Sequence, residues 1–405
     1  MPYPEFIAPL TPCNLSVRRC PVPREQASKR ILIMRLGSYG DVLMGTPLLG
    51  ALRSAYPEAH LTWIVEHTAR EAIDANPYID ELVIWEGGFW KDLLSERWRK
   101  MLNKRRLLGL RWLFQAFRFS LRLRQGRYDV YISFQPEEWP SLTYATGAAH
   151  RIGVFDTFRQ FYGDAATSAY TRLFTDVFRF KDLPLHRTDQ YLLPLNALGV
   201  SGPFDRRMEM GFTEVDRAVV ERLLISSEVN ADPFVVLAPM TTWVSRNWSP
   251  ERYAALGDAL ADCGRRVVLI GSAKPEERAV LSDIAARMRR TPVTVPGTLS
   301  FRQMAALLAR SALVVSGDTG PMHVAAAVGT PYLALFGPTP VAGRAPLIGP
   351  GLSLMHPIPC GPCDKEQCPI VGDGYMRCLE LITVEEVLES ALRLLEGDPA
   401  VARTG

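Results

Sequence analysis

The sequence predicts an α/β protein of two Rossmann-like domains, with parallel sheets facing across a cleft. Three observations predict it. Short unbroken apolar runs recur along the chain, and runs of this kind form buried parallel strands. Most are followed by a Gly-, Pro- or Asp-bearing turn and then by helical spacing, the rhythm of βαβ units. That rhythm occurs twice, around a loop-like stretch from Gly199 to Phe212, and 405 residues suffice for two domains of roughly 100–200 residues each.

In the first half, Arg30 to Arg35 reads as a strand, Leu36 to Asp41 as a glycine turn, and Val42 to Tyr56 as a helix ended by Pro57. Leu61–Val65 and Glu81–Trp85 are the next strands, with a helix over Thr68 to Ala75 between them. Gly37, Gly40 and Gly45 do not have dinucleotide-fingerprint spacing, but Gly37 and Gly40, flanking Ser38, let backbone approach a ligand closely. Asp41 opens the following helix, so it is either a plain N-cap or a general base facing the cleft. Tyr128–Phe134 and Arg151–Val154 read as strands, Phe155 to Asp189 has weak periodicity, and His186 to Leu198 reads as helical.

The second half repeats the pattern. Strands are expected at Phe234–Pro239, Arg266–Gly271, Val293–Val295, Ala312–Val315 and around Tyr332–Phe336. Helices are expected over Glu251 to Cys263, Arg278 to Arg289, Ser300 to Ala309 and Pro321 to Ala327, with a last one over Thr383 to Glu396. The turn Ser316 to His323 organises this half. Asp318 or Thr319 suits the N-cap and Pro321 the first helical turn. Free backbone N–H groups there point beyond a strand's carboxyl end, where α/β sheets bind anions. The next strand ends in a second such turn, Gly337–Thr339, so the two turns suggest a diphosphate-sized pocket. The expected organisation is a loose extension over 1–29, domains over 30–205 and 206–395, and a tail over 396–405.

Composition excludes several classes. The apolar fraction of 47% and charged fraction of 22% are those of a globular protein, and a net charge of +3 is too small for a whole-molecule polyanion binder. No secretory signal is evident, and seven cysteines do not read as an extracellular disulfide framework, so a cytoplasmic protein is expected. One local stretch is strongly basic: Arg97 to Arg127 interleaves Arg and Lys with Trp, Phe and Leu and holds no acidic residue. It is either a crossover helix with a solvated Arg face, or a helix lying on an anionic membrane surface. No recognised motif supports nucleic-acid binding. Cys360, Cys363, Cys368 and Cys378 suggest a structural zinc or iron–sulfur centre, against reduced thiols or a disulfide.

Taken together, these motifs resemble glycosyltransferase family 9, the ADP-heptose:lipopolysaccharide heptosyltransferases. The resemblance runs from about Arg30 to about Leu395. Gly37 to Leu43 looks like that family's G-x-x-G-D turn, and Ser245–Trp248 like its donor loop. Ser316 to His323 with Phe336–Thr339 looks like its D-T-G-x-x-H and G-P-T signature. The resemblance implies a GT-B architecture, with acceptor in the N-terminal domain, nucleotide-sugar in the C-terminal one, and inversion without a required cofactor. It implies that Asp41 is the catalytic base and that Thr241, Thr242, Arg246, Asp318, Thr319, Gly320 and His323 form the donor pocket. Glu276 or Glu277 matches the acid that bonds the nucleotide ribose. Arg246 stands where many members have Lys.

The chemistry of the residues agrees. A departing diphosphate needs fixed positive groups: the helix N-terminus at Gly320 to His323, the Thr319 hydroxyl and the Arg246 cation. The acceptor hydroxyl needs a base from the other domain, and Asp41 is placed for that. The expected partners are an ADP-sugar donor, a lipid A-core-like or other lipid-linked saccharide and an anionic membrane surface, with no nucleic acid. The alternatives are a transferase using another nucleotide sugar and glycan, or a non-catalytic nucleotide-sugar-binding homologue.

Overall fold

A computed structural model describes residues 28–85, 106–134, 140–155, 171–179, 185–229 and 233–397. The first sheet contains β1 (Arg30–Met34), β2 (His60–Glu66), β3 (Glu81–Trp85), β4 (Val130–Ser133), β5 (His150–Phe155) and β6 (Asp176–Arg179). The second contains β7 (Phe234–Ala238), β8 (Arg266–Gly271), β9 (Val293–Pro296), β10 (Leu313–Gly317), β11 (Tyr332–Leu335) and β12 (Gly351–Leu354). Their orders are β3-β2-β1-β4-β5-β6 and β12-β11-β10-β7-β8-β9, and every pairing is parallel. The expected α/β class with two parallel sheets is therefore present.

The described helices are α1 (Tyr39–Met44), α2 (Pro47–Ala55), α3 (Arg106–Gln125), α4 (Pro140–Ala145), α5 (Arg187–Leu192), α6 (Pro194–Ala197) and α7 (Glu214–Ser226). In the second half they are α8 (Pro250–Asp262), α9 (Pro275–Arg287), α10 (Phe301–Arg310), α11 (Gly320–Ala327), α12 (Val341–Arg344), α13 (Arg377–Glu380) and α14 (Val384–Leu395).

Several local expectations need correction. The single helix over Val42 to Tyr56 is two, α1 and α2, because Pro47 cannot donate a backbone bond and starts a new helix. Pro194 divides the helical stretch after His186 in the same way. The segment after β2 is a 3₁₀ helix, His67–Ala72, with a final Arg70–Ile73 turn closed i to i+3. Strands β6 and β12 were not expected. Each pairs on one side only, so neither needs the continuous apolar run that betrays a central strand. Helix α7 was also missed, although Thr213 and Asp216 form a capping box at its start.

The two sheets are joined by packing. A buried cluster runs from Ile31, Leu48 and Trp63 in the first half to Val314, Met322 and Phe336 in the second. Tyr39 of α1 stacks on Phe301 of α10, ring centroids 3.6 Å apart. Strand order reverses between β1 and β4 in one sheet and between β7 and β10 in the other. Open α/β sheets bind ligands outside the carboxyl ends of strands at such reversals. The turns leaving β1, β7 and β10 meet at one cavity, which residues after β8 and β9 also line.

Candidate functional site

A cavity of about 500 Å³ lies between the halves and is lined by Asp41, Thr241, Arg246, Thr319, Gly320 and His323, among others. Ser38 and Gly40 reach it from the first half, and Thr242, Glu277 and Asp318 from the second. Gly37 and Glu276 are not among its lining residues. Glu277 instead of Glu276 faces the cavity because helix α9 turns it inward, where its carboxylate accepts the Ser272 N–H at 2.8 Å.

On the first-sheet side, the turn after β1 delivers Asp41 into α1. Its carboxylate pairs with Arg35 at 2.5 Å and accepts the Ser38 hydroxyl at 3.2 Å. Burial raises the Asp41 pKa, but the charges of Arg35 and Arg187 and the two hydrogen bonds outweigh it and leave it below the ordinary value. The carboxylate therefore stays ionised near neutral pH, and 28% of the side chain remains exposed. As an ionised group open to the cavity, it can accept a proton.

On the second-sheet side, β10 ends in Asp318, Thr319 caps α11 without a side-chain hydrogen bond, and Pro321 occupies its first turn. Asp318 Oδ2 accepts the Thr339 hydroxyl at 2.7 Å and faces Arg246 Nη1 at 3.3 Å. Asp318 thus holds the cation and the second turn in place. The Arg246 guanidinium stacks on Trp243, 3.6 Å from the ring centroid. Its Nε and Nη2 are buried and have no partner among the described residues. An unpaired buried charged donor is costly, and two phosphate oxygens match the spacing of its fork. A side chain at Gly317 would collide with Thr241 Cγ2 at 2.8 Å and the Arg246 carbonyl at 3.0 Å, so the loop can sit directly on the strand end.

His323 joins the two sides. A Cβ on Gly40 would lie 2.8 Å from its Cδ2, so the glycine lets α1 and α11 touch. Burial pushes the His323 pKa down to about 4 despite the nearby Asp318 and Asp41. The ring is neutral at pH 7, and its Nδ1 is buried without a partner among the described residues. It is a neutral pocket-lining residue and not a second cation.

Sequence reasoning missed Arg35, Arg187, Tyr39, Phe301 and Arg344. Arg344 lines the cavity and is held by Asp364 at 2.8 Å. Arg35 was findable as a charge directly following a buried strand and preceding the glycine turn. Tyr39 lies inside the glycine turn, between Ser38 and Gly40, whereas Arg187, Phe301 and Arg344 reach the site only through folding. Among the described residues, no group of three or more His, Cys, Asp or Glu is placed to hold one metal ion, and no helix is long and apolar enough to cross a membrane. The expected extension over 1–29 lies almost wholly outside the described residues, as does the basic stretch before Arg106.

The chain is similar to known proteins over most of its length. Residues 116–372 match the model of glycosyltransferase family 9 (heptosyltransferase). The lipopolysaccharide heptosyltransferase 1 of Pseudomonas aeruginosa is 28% identical over 349 residues, 84% of this chain and 87% of that protein. The lipopolysaccharide core heptosyltransferase OpsX of Haemophilus influenzae is 24% identical over 314 residues, 77% of this chain and 80% of its own length. Among solved structures, E. coli ADP-heptose lps heptosyltransferase II superposes with a TM-score of 0.68 at 21% identity, covering 91% of this chain and 99% of that one. A family 9 glycosyltransferase from Veillonella parvula gives 0.72 at 23% identity, covering 91% and 98%. These folds are the GT-B heptosyltransferase architecture that the resemblance implied. The chain belongs to glycosyltransferase family 9, the heptosyltransferases, and is a glycosyltransferase.

Proposed function

We propose that this enzyme transfers a heptose, with inversion, from ADP-heptose to a lipid-linked saccharide of the lipopolysaccharide core type. The observation that carries the donor half is Arg246, a buried guanidinium with two unpaired nitrogens beside the amino end of α11. In this reading the departing diphosphate takes those two donors together with the Thr319 hydroxyl and the first amides of α11. Negative charge grows there as the glycosidic bond breaks, and preorganised donors stabilise it without reorganising. Glu277 bonds the nucleotide ribose. Asp41, across the cavity, takes the proton of the acceptor hydroxyl as that oxygen attacks the anomeric carbon from the opposite face.

The acceptor's lipid part brings the enzyme to a membrane surface. Phe114, Phe117 and Leu121 are exposed at 58%, 59% and 43% on α3, and Arg118, Arg122 and Arg124 beside them are exposed as well. An apolar stripe flanked by cations suits an anionic interface. The test pairs a thermal shift with a transfer assay. ADP-heptose should stabilise the protein above UDP- and GDP-sugars, and heptose should appear on a lipid-linked core acceptor. Equal stabilisation by UDP- or GDP-sugars overturns the donor assignment; ADP-heptose binding without turnover on saccharide acceptors favours the non-catalytic alternative.

A further inference from the structure

A second guanidinium reaches the donor side of the main cavity. Arg344, the last residue of α12, lines it together with Arg246, Thr319 and His323. Its Cζ lies 5.7 Å from the centroid of the Trp243 ring, the ring on which Arg246 stacks at 3.6 Å. Two cations thus sit against one indole, where they repel each other. Asp318 Oδ2 faces Arg246 Nη1 at 3.3 Å, and Asp364 Oδ1 accepts from Arg344 Nη2 at 2.8 Å. Among the described residues the bond to Asp364 uses Nη2 alone, and the Arg344 side chain stays 32% exposed. The rest of its fork is open to a ligand.

Arg344 is braced from both halves of the molecule. Asp364, which holds its guanidinium, is itself fixed to the second turn by donating its N–H to the Pro338 carbonyl at 2.8 Å. From the first half, His186 Nε2 donates to the carbonyl of the next residue, Ala345, at 2.7 Å. His186 also caps α5, where its Nδ1 accepts the Thr188 N–H at 3.1 Å. That acceptor role puts the ring proton on Nε2. The ring is buried, and burial holds its pKa below the ordinary value, which favours the neutral form that this pair of bonds requires. The residue after it, Arg187, is one of the charges that act on Asp41. One imidazole therefore links the Asp41 side of the cavity to the Arg344 side.

We propose that Arg344 is a second cation for the donor's diphosphate, and that His186 is a positioning residue that sets it in place across the two halves. The assignment rests on the donor reading above. Asp318 cancels part of the Arg246 charge, so a departing diphosphate gains from a further fixed donor. As the bond between the anomeric carbon and the diphosphate oxygen breaks, its electron pair stays on the diphosphate. The acceptor oxygen forms the new bond to that carbon, and its proton passes to Asp41. The free N–H groups of Arg344 make charge-assisted bonds to the phosphate oxygens on which the charge grows. Repulsion between two neighbouring cations is relieved once an anion lies between them.

The experiment is calorimetry of the full chain with ADP and with adenosine. Wild type should bind ADP more tightly than adenosine. Arg344→Gln should weaken ADP about fivefold or more and leave adenosine within about twofold, because only the phosphates lose a charge-assisted bond. Equal loss for both ligands, or loss for neither, overturns Arg344 as a diphosphate contact. A wild type that binds adenosine as tightly as ADP instead shows failure of the donor reading. His186→Asn separates the tie from the cap, since Asn is a favoured N-cap but is too short to reach Ala345. It should keep the thermal midpoint near that of wild type and weaken ADP but not adenosine. His186→Gln, whose amide N–H reaches about as far as Nε2, should recover most of the ADP affinity even where loss of the cap lowers its midpoint. Adding His186→Asn to Arg344→Gln should cost little more, because both remove one contact. Full additivity, or equal ADP loss in the Asn and Gln variants, overturns the positioning role of His186 and leaves Arg344 in place.

Discussion

The two sides of the main cavity solve opposite electrostatic problems. On the second-sheet side, polar groups are left with unmet capacity: Arg246 Nε and Nη2 and His323 Nδ1 have no partner among the described residues. On the first-sheet side, the Asp41 carboxylate is already supplied by Arg35 and Ser38. In the proposed function, one side receives an anion and the other keeps one ionised. Both follow from strand ends, but the first uses a helix terminus and a stacked guanidinium, and the second uses paired cations. A base that must stay deprotonated needs its charge compensated before substrate arrives, whereas a phosphate pocket gains from leaving its donors unspent.

The sharpest way to break this comparison is to remove the proposed base. Asp41→Asn should keep ADP affinity and lower kcat by roughly 10²–10⁴-fold, the usual contribution of a positioned general base. Near-normal turnover in a transfer assay would remove Asp41 from the chemistry. Next in size is Arg246→Lys. It preserves a positive charge but loses the fork and the stack on Trp243. Each charge-assisted bond is worth about 1.5–3 kcal/mol, so ADP should bind at least about tenfold more weakly by calorimetry. Unchanged affinity would mean that the guanidinium does not meet the diphosphate.

The smallest effect is a shift rather than a loss. Arg35 is the leading charge holding the Asp41 pKa below its ordinary value, against the burial that raises it. Arg35→Gln leaves that burial less opposed, so the folded-state pKa rises. The base is active only when deprotonated, so the acid limb of the kcat–pH profile should move to higher pH, with the plateau less affected. A limb that stays in place would show that Arg35 does not set the charge of the base.

The sequence by itself determined what depends on near neighbours along the chain. Central strands announced themselves as apolar runs, the start of α11 was legible from Asp318 or Thr319 with Pro321, and the G-x-x-G-D and D-T-G-x-x-H turns marked the strand ends that line the cavity. Only the tertiary structure decided what depends on residues far apart in the chain. It turned Glu277 inward and Glu276 outward, and it set Asp318 to clamp Arg246 and Thr339. It buried His323 against Gly40 until the imidazole was neutral, and it gathered four thiols around one cavity. The reason is desolvation and reach. Whether a polar side chain is paired, spare or stripped of charge is fixed by groups that only folding brings beside it, such as Asp318 for Arg246 and the α1 turn for His323, which no local spacing encodes.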